Sequence, residues 1–318
     1  MRYLIFFVTL SLCVNHIRGY KDDDDEDFSH LVVGGYRIQD NYFTKFMVSI
    51  RTGKPIVAYG DNHMCGGAII SKRCVVTAAH CLVHAMTTIK IPVGDMYVVA
   101  GSKYRLNVTT STQTLYVKKS FVHPSYSTIE TVADVGLLHL EGQFILDDKT
   151  VAAITIARET PKANTKCITG GWGSAYFLGP SPDNILYVNL QTITRTACKI
   201  FITEFEEGMI CAVSLEVPEM DTCQGDSGGP LICDKFLSGI VSFGYECGVG
   251  YPGVYADVAF YRDWVLQNHA IMHTNKLSIL VELLLIIFLQ CFYYEVRFGK
   301  NQYNTIPLQI IIELLYKQ

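Results

Sequence analysis

The sequence carries little excess charge of either sign. Its formal net charge is -4, and the acidic run at 21–27 contributes that excess, so the rest of the chain is close to neutral. Proteins that bind nucleic acid through its phosphates usually present clustered Lys and Arg residues. The composition therefore argues against nucleic acid as a partner.

Helical periodicity is also scarce, which argues against a mainly helical protein. Short β-type runs separated by turns fill two stretches, from residue 32 to about 145 and from about 165 to 258. Examples are Phe46–Ile50, Tyr97–Ala100 and Ile185–Leu190. Many short strands of this kind predict an all-β barrel or sandwich.

The beginning of the chain predicts secretion. A basic start and a short apolar run at residues 1–10 are typical of a signal peptide, which we expect to span 1–19. Residues 20–31 are polar and acidic and predict a pro-peptide. The chain also contains 11 cysteines, which fits an oxidising compartment.

One stretch, Asp221–Pro230, has the composition of a catalytic loop. Ser227 lies among glycines and follows an aspartate, which suits a nucleophile presented on a sharp turn. The backbone amides of Gly225 and Ser227 could then face one point and bind an oxyanion. An ordinary Gly/Ser/Asp turn is the alternative.

A serine nucleophile needs a base and a group that orients the base. His80 ends an apolar strand-like run and precedes Cys81, while Asp134 opens an apolar run that should be buried. A buried carboxylate requires hydrogen bonds or a charged partner, although a turn residue before a strand is the simpler interpretation. The other histidines are predicted to be surface or satisfied core residues: His16, His30, His63, His84, His123, His139, His269 and His273.

The order His80, Asp134, Ser227 is the order of the chymotrypsin-type triad. The chain resembles the trypsin-like serine proteases of the chymotrypsin family from residue 32 to about 268. The matching motifs are Val32-Val-Gly-Gly35, Cys65-Gly-Gly67, Thr77-Ala-Ala-His-Cys81, Asp134, Gly171-Trp-Gly173, Gly225-Asp-Ser-Gly-Gly-Pro230, Ser242-Phe-Gly244 and Pro252-Gly-Val-Tyr255.

The resemblance implies an all-β fold for a protease domain at 32–268. It implies two six-stranded antiparallel β-barrels, with the site between them and a C-terminal helix near 260–266. It also implies acyl transfer, with Ser227 as nucleophile, His80 as base and Asp134 as the stabiliser of the imidazolium. This chemistry needs no cofactor or metal, and the sequence has no compelling acidic loop for calcium.

The resemblance also implies specificity. Asp221 matches the carboxylate at the floor of the pocket in trypsin-like members, which selects Arg or Lys before the cut bond. Gly244 and Gly253 match the small residues that keep the pocket walls open, and Ser242 matches a residue that bonds the triad aspartate. Glu246 departs from the glycine common at the pocket entrance, so it narrows the pocket or adds negative charge.

The resemblance also implies activation by proteolytic cleavage. Cutting before Val32 would free an amino group that pairs with Asp226. Leu31 stands where the family often has Arg or Lys, so we expect a chymotrypsin-like or elastase-like activator. The expected partners are thus protein or peptide substrates, an activating protease and protein inhibitors.

The family pattern implies four disulfides and leaves Cys74 as a small buried residue. The pairs are Cys65 with Cys81, Cys167 with Cys233, Cys198 with Cys211, and Cys223 with Cys247. Separately, Asn107-Val-Thr109 is an acceptor motif for N-glycosylation.

The tail at 269–318 falls outside the resemblance. Its apolar run 277–294 is near the length that spans a bilayer and is followed by basic residues, which favours a type I anchor. Translated non-coding sequence and a membrane-surface segment are the alternatives. Two alternatives to a secreted enzyme therefore stay open: a membrane-tethered protease, and a catalytically silent protease-like binding or regulatory protein.

Overall fold

The computed structural model describes residues 35–37, 42–214, 217–271 and 286. The predicted signal peptide, the pro-peptide, Val32 and nearly all of the apolar run 277–294 lie outside the described residues. The chain divides into two compact units, Met1–Val265 and Leu266–Gln318. All the strands that the structure describes belong to the first unit.

Six strands of the first half close into an antiparallel barrel. After a short strand β1 (Tyr36–Arg37), they are β2 (Met47–Thr52), β3 (His63–Ser71), β4 (Cys74–Thr77), β5 (Met96–Ala100), β6 (Gln113–Val122) and β7 (Gly136–Leu140). The barrel order is β2-β3-β4-β7-β6-β5. Short 3-10 helices lie at Thr44–Phe46, His80–Leu82 and Val93–Asp95.

The second half repeats this architecture. Its strands are β8 (Lys166–Gly171), β9 (Leu186–Thr192), β10 (Met209–Val213), β11 (Pro230–Cys233), β12 (Phe236–Phe243) and β13 (Gly253–Asp257). They run in the order β9-β10-β13-β12-β11-β8, and pairing of β8 with β9 closes the ring. Strand β1 adds to β9 from outside, with Tyr36 opposite Tyr187.

Between residues 42 and 271, the described part of the chain contains two α-helices. Helix α1 (Arg195–Phe201) begins after Thr194, whose hydroxyl accepts from the Ala197 amide at 3.1 Å and caps the helix. Residues 262–271 form α2, close to the predicted C-terminal helix. Helix α1 was not predicted, because its seven residues are too few to show a helical period.

The barrel interiors hold the core. Val48, Ile50 and Leu137 are fully buried in the first barrel, and Leu231 and Tyr255 are fully buried in the second. Burying one such aliphatic side chain contributes about 1.5–3 kcal/mol. The β-branched and aromatic runs that predicted strands therefore also supply the cores.

The predicted fold is confirmed, with small shifts at strand ends. Tyr97–Ala100 lies within β5, whereas Phe46 belongs to a 3-10 helix and Ile185 precedes β9. All four expected disulfides are present: Cys65–Cys81, Cys167–Cys233, Cys198–Cys211 and Cys223–Cys247. Cys74 is a buried free thiol, and burial raises its pKa.

Candidate active site

His80 and Asp134 meet because the strands that carry them are paired. Strands β4 and β7 are antiparallel, with Thr77 opposite Gly136, so the residues just beyond these positions come together. His80 Nδ1 donates to Asp134 Oδ2 at 2.8 Å, and the His80 backbone amide donates to Asp134 Oδ1 at 2.9 Å. The imidazole is therefore held in one orientation.

Asp134 has a third donor from the second barrel. The Ser242 hydroxyl donates to Asp134 Oδ2 at 2.6 Å. Burial would raise the pKa of Asp134, but the charge of His80 and the hydrogen bonds from His80 and Ser242 outweigh it and hold that pKa below its usual value. Burial likewise opposes protonation of His80, yet the Asp134 carboxylate raises the pKa of that imidazole above its usual value.

Ser227 lies on a tight turn against the first barrel. Gly228 has a φ of +78°, and a Cβ there would lie 2.2 Å from Thr77 Oγ1, so only glycine fits. The Gly66 amide of β3 donates to the Ser227 carbonyl at 2.7 Å. Ser227 and His80 line one cavity of about 800 Å³.

The loop before Ser227 presents its amides. Gly225 has a φ of +103°, a backbone conformation that favours glycine. Among the described residues, no acceptor is bonded to the amide hydrogens of Gly225 and Ser227. Two free donors beside a serine hydroxyl are what an oxyanion site requires.

Asp226 is buried directly behind this loop. Its carboxylate accepts from the Gly173 amide at 2.8 Å and from the Cys223 amide at 2.9 Å. A Cβ at Gly173 would lie 2.5 Å from the carboxyl carbon, which explains a glycine at this position. Burial raises the pKa of Asp226 to about 6. Its expected partner, Val32, lies outside the described residues.

Asp221 faces a second, smaller cavity of about 220 Å³ that also contains Ser227. Ser242, Gly244 and Glu246 line this cavity. A Cβ at Gly253 would lie 2.9 Å from Asp221 Oδ1, so a larger residue there would crowd the carboxylate. Burial raises the pKa of Asp221 to about 7, although the Thr222 amide donates to it at 2.7 Å.

This geometry agrees with comparisons to known proteins. The trypsin family model matches residues 32–265. The chain belongs to the trypsin family of serine proteases. Trypsin V-B of Rattus norvegicus is 30% identical over 272 residues, which cover 85% of this chain and 99% of that protein. Anionic trypsin of Canis lupus familiaris is 33% identical over 253 residues, which cover 78% of this chain and 92% of that protein.

Trypsin 5G1 of Aedes aegypti is a further relative from an insect. It is 33% identical over 241 residues, which cover 74% of this chain and 84% of that protein. The chain is thus a serine endopeptidase of the trypsin family, and the mainly β fold and the four disulfides fit that membership.

The sequence did not reveal the part that His63 has in this trypsin-family site. His63 is one of the histidines predicted to be surface or satisfied core residues, and its ring bonds Ser49 Oγ at 2.8 Å and the Gly225 carbonyl at 2.9 Å. Burial lowers the pKa of His63 to about 4, so the ring is neutral near pH 7. A carbonyl oxygen only accepts, so Nε2 carries the proton and Nδ1 accepts from Ser49.

A buried arginine extends this chain of hydrogen bonds. Arg51 is 1% exposed, and its Nε donates to Ser49 Oγ at 3.0 Å while its Nη2 donates to the Arg105 carbonyl at 2.9 Å. The loop that carries Gly225 is thereby linked to the first barrel through His63, Ser49 and Arg51. No sequence pattern joins residues so far apart, since His63 and Gly225 are separated by 162 positions.

The predicted glycosylation motif lies away from His80, Asp134 and Ser227, and the predicted membrane anchor lies almost entirely outside the described residues. Asn107 is exposed, and its amide donates to Asp183 Oδ2 at 3.0 Å. The sulfur atoms of Cys65 and Cys81 lie close to the His80 ring, but they form a disulfide and are not free thiolate ligands. In the described part of the chain, no helix has both the length and the apolar character needed to cross a bilayer.

Proposed function

We propose that the chain is a secreted endopeptidase, made as a zymogen, that cleaves peptide bonds after Arg and Lys. The observation that carries the specificity is the buried carboxylate of Asp221, which faces a cavity shared with Ser227. A guanidinium or ammonium group entering that cavity would meet a partly desolvated negative charge. Neutral side chains would leave the charge unpaired, and this difference supplies selectivity.

In the proposed reaction, His80 takes the proton of Ser227 as its oxygen attacks the carbonyl carbon of the substrate. Asp134 stabilises the imidazolium, and the amides of Gly225 and Ser227 bind the oxyanion. His80 then protonates the leaving amine, the C–N bond breaks, and an ester joins Ser227 to the acyl group. Water, deprotonated by His80, hydrolyses this ester and restores the hydroxyl.

The zymogen proposal is supported by the buried position of Asp226 and by its lack of a basic partner among the described residues. Its carboxylate is 1% exposed, and within the described residues no Lys or Arg forms an ion pair with it. An ammonium group released by cleavage between Leu31 and Val32 is a fitting partner for such a charge. That pair would stabilise the Gly225 loop, and Leu31 points to an activator that cuts after apolar residues.

Secretion is supported by the signal-like residues 1–19 and by the four disulfides, which persist in oxidising compartments. The same proposal includes a pro-peptide at 20–31 and glycosylation of exposed Asn107. Protein secreted from eukaryotic cells should begin at residue 20 before activation. Glycosidase treatment should lower the mass of this protein by removing the glycan on Asn107, whereas the mass of Asn107→Gln protein should not change.

The central experiment uses Leu31→Arg protein cut by an immobilised trypsin that is then removed. After a Val32 terminus is confirmed, hydrolysis of Arg and Leu chromogenic peptides is compared. We expect rapid, Arg-selective turnover that Ser227→Ala abolishes. Absence of turnover with a confirmed Val32 terminus would instead support the catalytically silent alternative.

A further inference from the structure

Arg51 is buried without an acidic partner. Its side chain is 1% exposed, and within the described residues no carboxylate forms an ion pair with it. Its Nε donates to Ser49 Oγ at 3.0 Å, its Nη2 donates to the Arg105 carbonyl at 2.9 Å, and its guanidinium carbon lies 4.5 Å from the centre of the Tyr59 ring. Burying an unpaired guanidinium is costly, so the contacts of Arg51 matter for more than packing.

The bond from Arg51 sets the direction of the Ser49 hydroxyl. A hydroxyl has one hydrogen and two lone pairs, whereas a guanidinium can only donate. Because Ser49 Oγ accepts from Arg51, its own hydrogen is available to its other partner, His63 Nδ1, at 2.8 Å. A hydrogen bond from a charged donor is about twice as strong as a neutral one, which favours this direction over the reverse.

The direction of the Ser49 hydroxyl in turn places the proton of His63. Burial lowers the pKa of His63 to about 4, so the ring carries one proton at neutral pH. Nδ1 accepts from Ser49, so the proton lies on Nε2, which donates to the Gly225 carbonyl at 2.9 Å. Trp172 packs edge-on against the ring, with the two ring centres 5.6 Å apart, and limits its rotation. With the proton on Nδ1, a lone pair of Nε2 would face the carbonyl oxygen and repel it.

The Gly225 carbonyl is a fixed point of the loop before Ser227. The peptide group that precedes Gly225 is held by the Ser174 amide, which donates to the Gln224 carbonyl at 2.7 Å. The peptide group that follows Gly225 is held by His63 through the carbonyl. A glycine at a φ of +103° has wide conformational freedom, so bonds on both sides are needed to keep its N–H in one direction.

We infer that Arg51 is a positioning residue for the Gly225 amide, acting through Ser49 and His63. This inference rests on the proposed function, because that function gives the Gly225 amide the task of binding the oxyanion. Without the Arg51 bond, the His63 proton can move to Nδ1, and the Gly225 carbonyl then loses its donor. The Gly225 amide should bind the oxyanion less well, while the Asp221 cavity stays unchanged.

Arg51→Met tests the inference, because methionine is a long apolar side chain that donates no hydrogen bond. Activated protein with a confirmed Val32 terminus is assayed with an Arg peptide, with benzamidine and with a peptidyl Arg trifluoromethyl ketone. The Ser227 oxygen adds to the carbonyl carbon of the ketone and leaves an oxyanion for the amides, whereas benzamidine should occupy the Asp221 cavity alone. The variant should lose about tenfold in kcat and in affinity for the ketone, with KM and benzamidine affinity unchanged.

Arg105→Met is the matched control, because Arg105 is a second buried arginine of the same region. It is 8% exposed, and its guanidinium donates to backbone carbonyls rather than to Ser49. This variant should lose stability but keep the wild-type ratio of ketone affinity to benzamidine affinity. An equal fall of that ratio in both variants, or no fall in Arg51→Met protein, would overturn the inference.

Two further measurements decide the matter even if Arg51→Met protein does not fold. Ser49→Ala breaks the same chain of bonds and should cause the same selective loss of ketone affinity; a wild-type ratio would contradict the inference. Isotope-edited NMR of histidine-labelled wild-type protein, assigned with His63→Asn protein, should find the His63 proton on Nε2, and a proton on Nδ1 would overturn the inference. Absence of turnover in activated wild-type protein would refute the proposed function, and the inference with it.

Discussion

Under the proposed function, the buried carboxylate of Asp221 should make selectivity for basic side chains depend on pH. Burial raises the pKa of Asp221 to about 7 in the free protein, so the group is largely neutral in mild acid and ionised in mild base. From that pKa, about 1% of the protein carries the anion at about pH 5 and about 90% at about pH 8. Only the anion should attract an Arg side chain, so preference for Arg should rise about 100-fold over this range.

The assay measures kcat/KM for an Arg and a Leu chromogenic peptide at each pH and takes their ratio. In the proposed mechanism, both substrates require a neutral His80 and the same Gly225 and Ser227 amides, so titration of His80 and of Asp226 should cancel in the ratio. The ratio should follow one ionisation with a midpoint near pH 7. A wild-type ratio that stays constant between about pH 5 and pH 8 would refute this reasoning.

Asp221→Asn provides the control and a stability test. Without the carboxyl, the ratio of kcat/KM for the Arg peptide to that for the Leu peptide should be low and should not change with pH.

The pKa of Asp221 is raised on folding from 3.8 to about 7, so the ionised group destabilises the folded state at higher pH. The variant should therefore resist urea better than wild type above pH 7, and this advantage should disappear below about pH 4. Equal stability of the two proteins above pH 7 would contradict the assigned cause.

Three further changes test the rest of the site. Asp134→Asn should lower kcat by about 10⁴-fold in steady-state assays without unfolding the protein, which is the loss of kcat that the equivalent substitution causes in a serine protease of this family. A loss of only about tenfold would contradict a triad role for Asp134. Gly173→Ala should crowd the Asp226 carboxyl, so it should reduce the free energy of unfolding in urea by about 1–3 kcal/mol and should also lower kcat. Unchanged stability and unchanged kcat would contradict the close packing of Gly173 against Asp226. Replacing Cys65 and Cys81 by Ser removes a disulfide between residues 16 positions apart, and urea denaturation should show a free energy of unfolding lower by about 3 kcal/mol. An unchanged denaturation midpoint would contradict a stabilising role for this disulfide.

The sequence predicted those parts of the site that are carried by short local patterns. The setting of His80 beside Cys81 and of Ser227 among glycines could be recognised because backbone turns constrain nearby residue types. The strands were also predictable, since alternation and β-branched residues mark buried β structure. The family likeness then supplied the barrel arrangement and the cysteine pairing.

Long-range contacts between unlike residues could not be predicted. His63 has no local feature that separates it from a satisfied core histidine, and its bond to the Gly225 carbonyl arises only when β3 packs against the loop. The burial of Arg51 was equally hidden, because arginine in a strand is usually exposed. Helix α1 was missed since its boundaries depend on a capping threonine and a disulfide rather than on periodicity.

The central claim is that Ser227 is a nucleophile served by a pocket for basic side chains. Its most direct test is covalent labelling of protein with a confirmed Val32 terminus, using lysine-type and leucine-type phosphonate esters that react with activated serines. Mass spectrometry should find the lysine-type adduct on Ser227, formed faster than the leucine-type adduct, and none on Ser227→Ala protein. No adduct on Ser227 from either reagent would contradict the account.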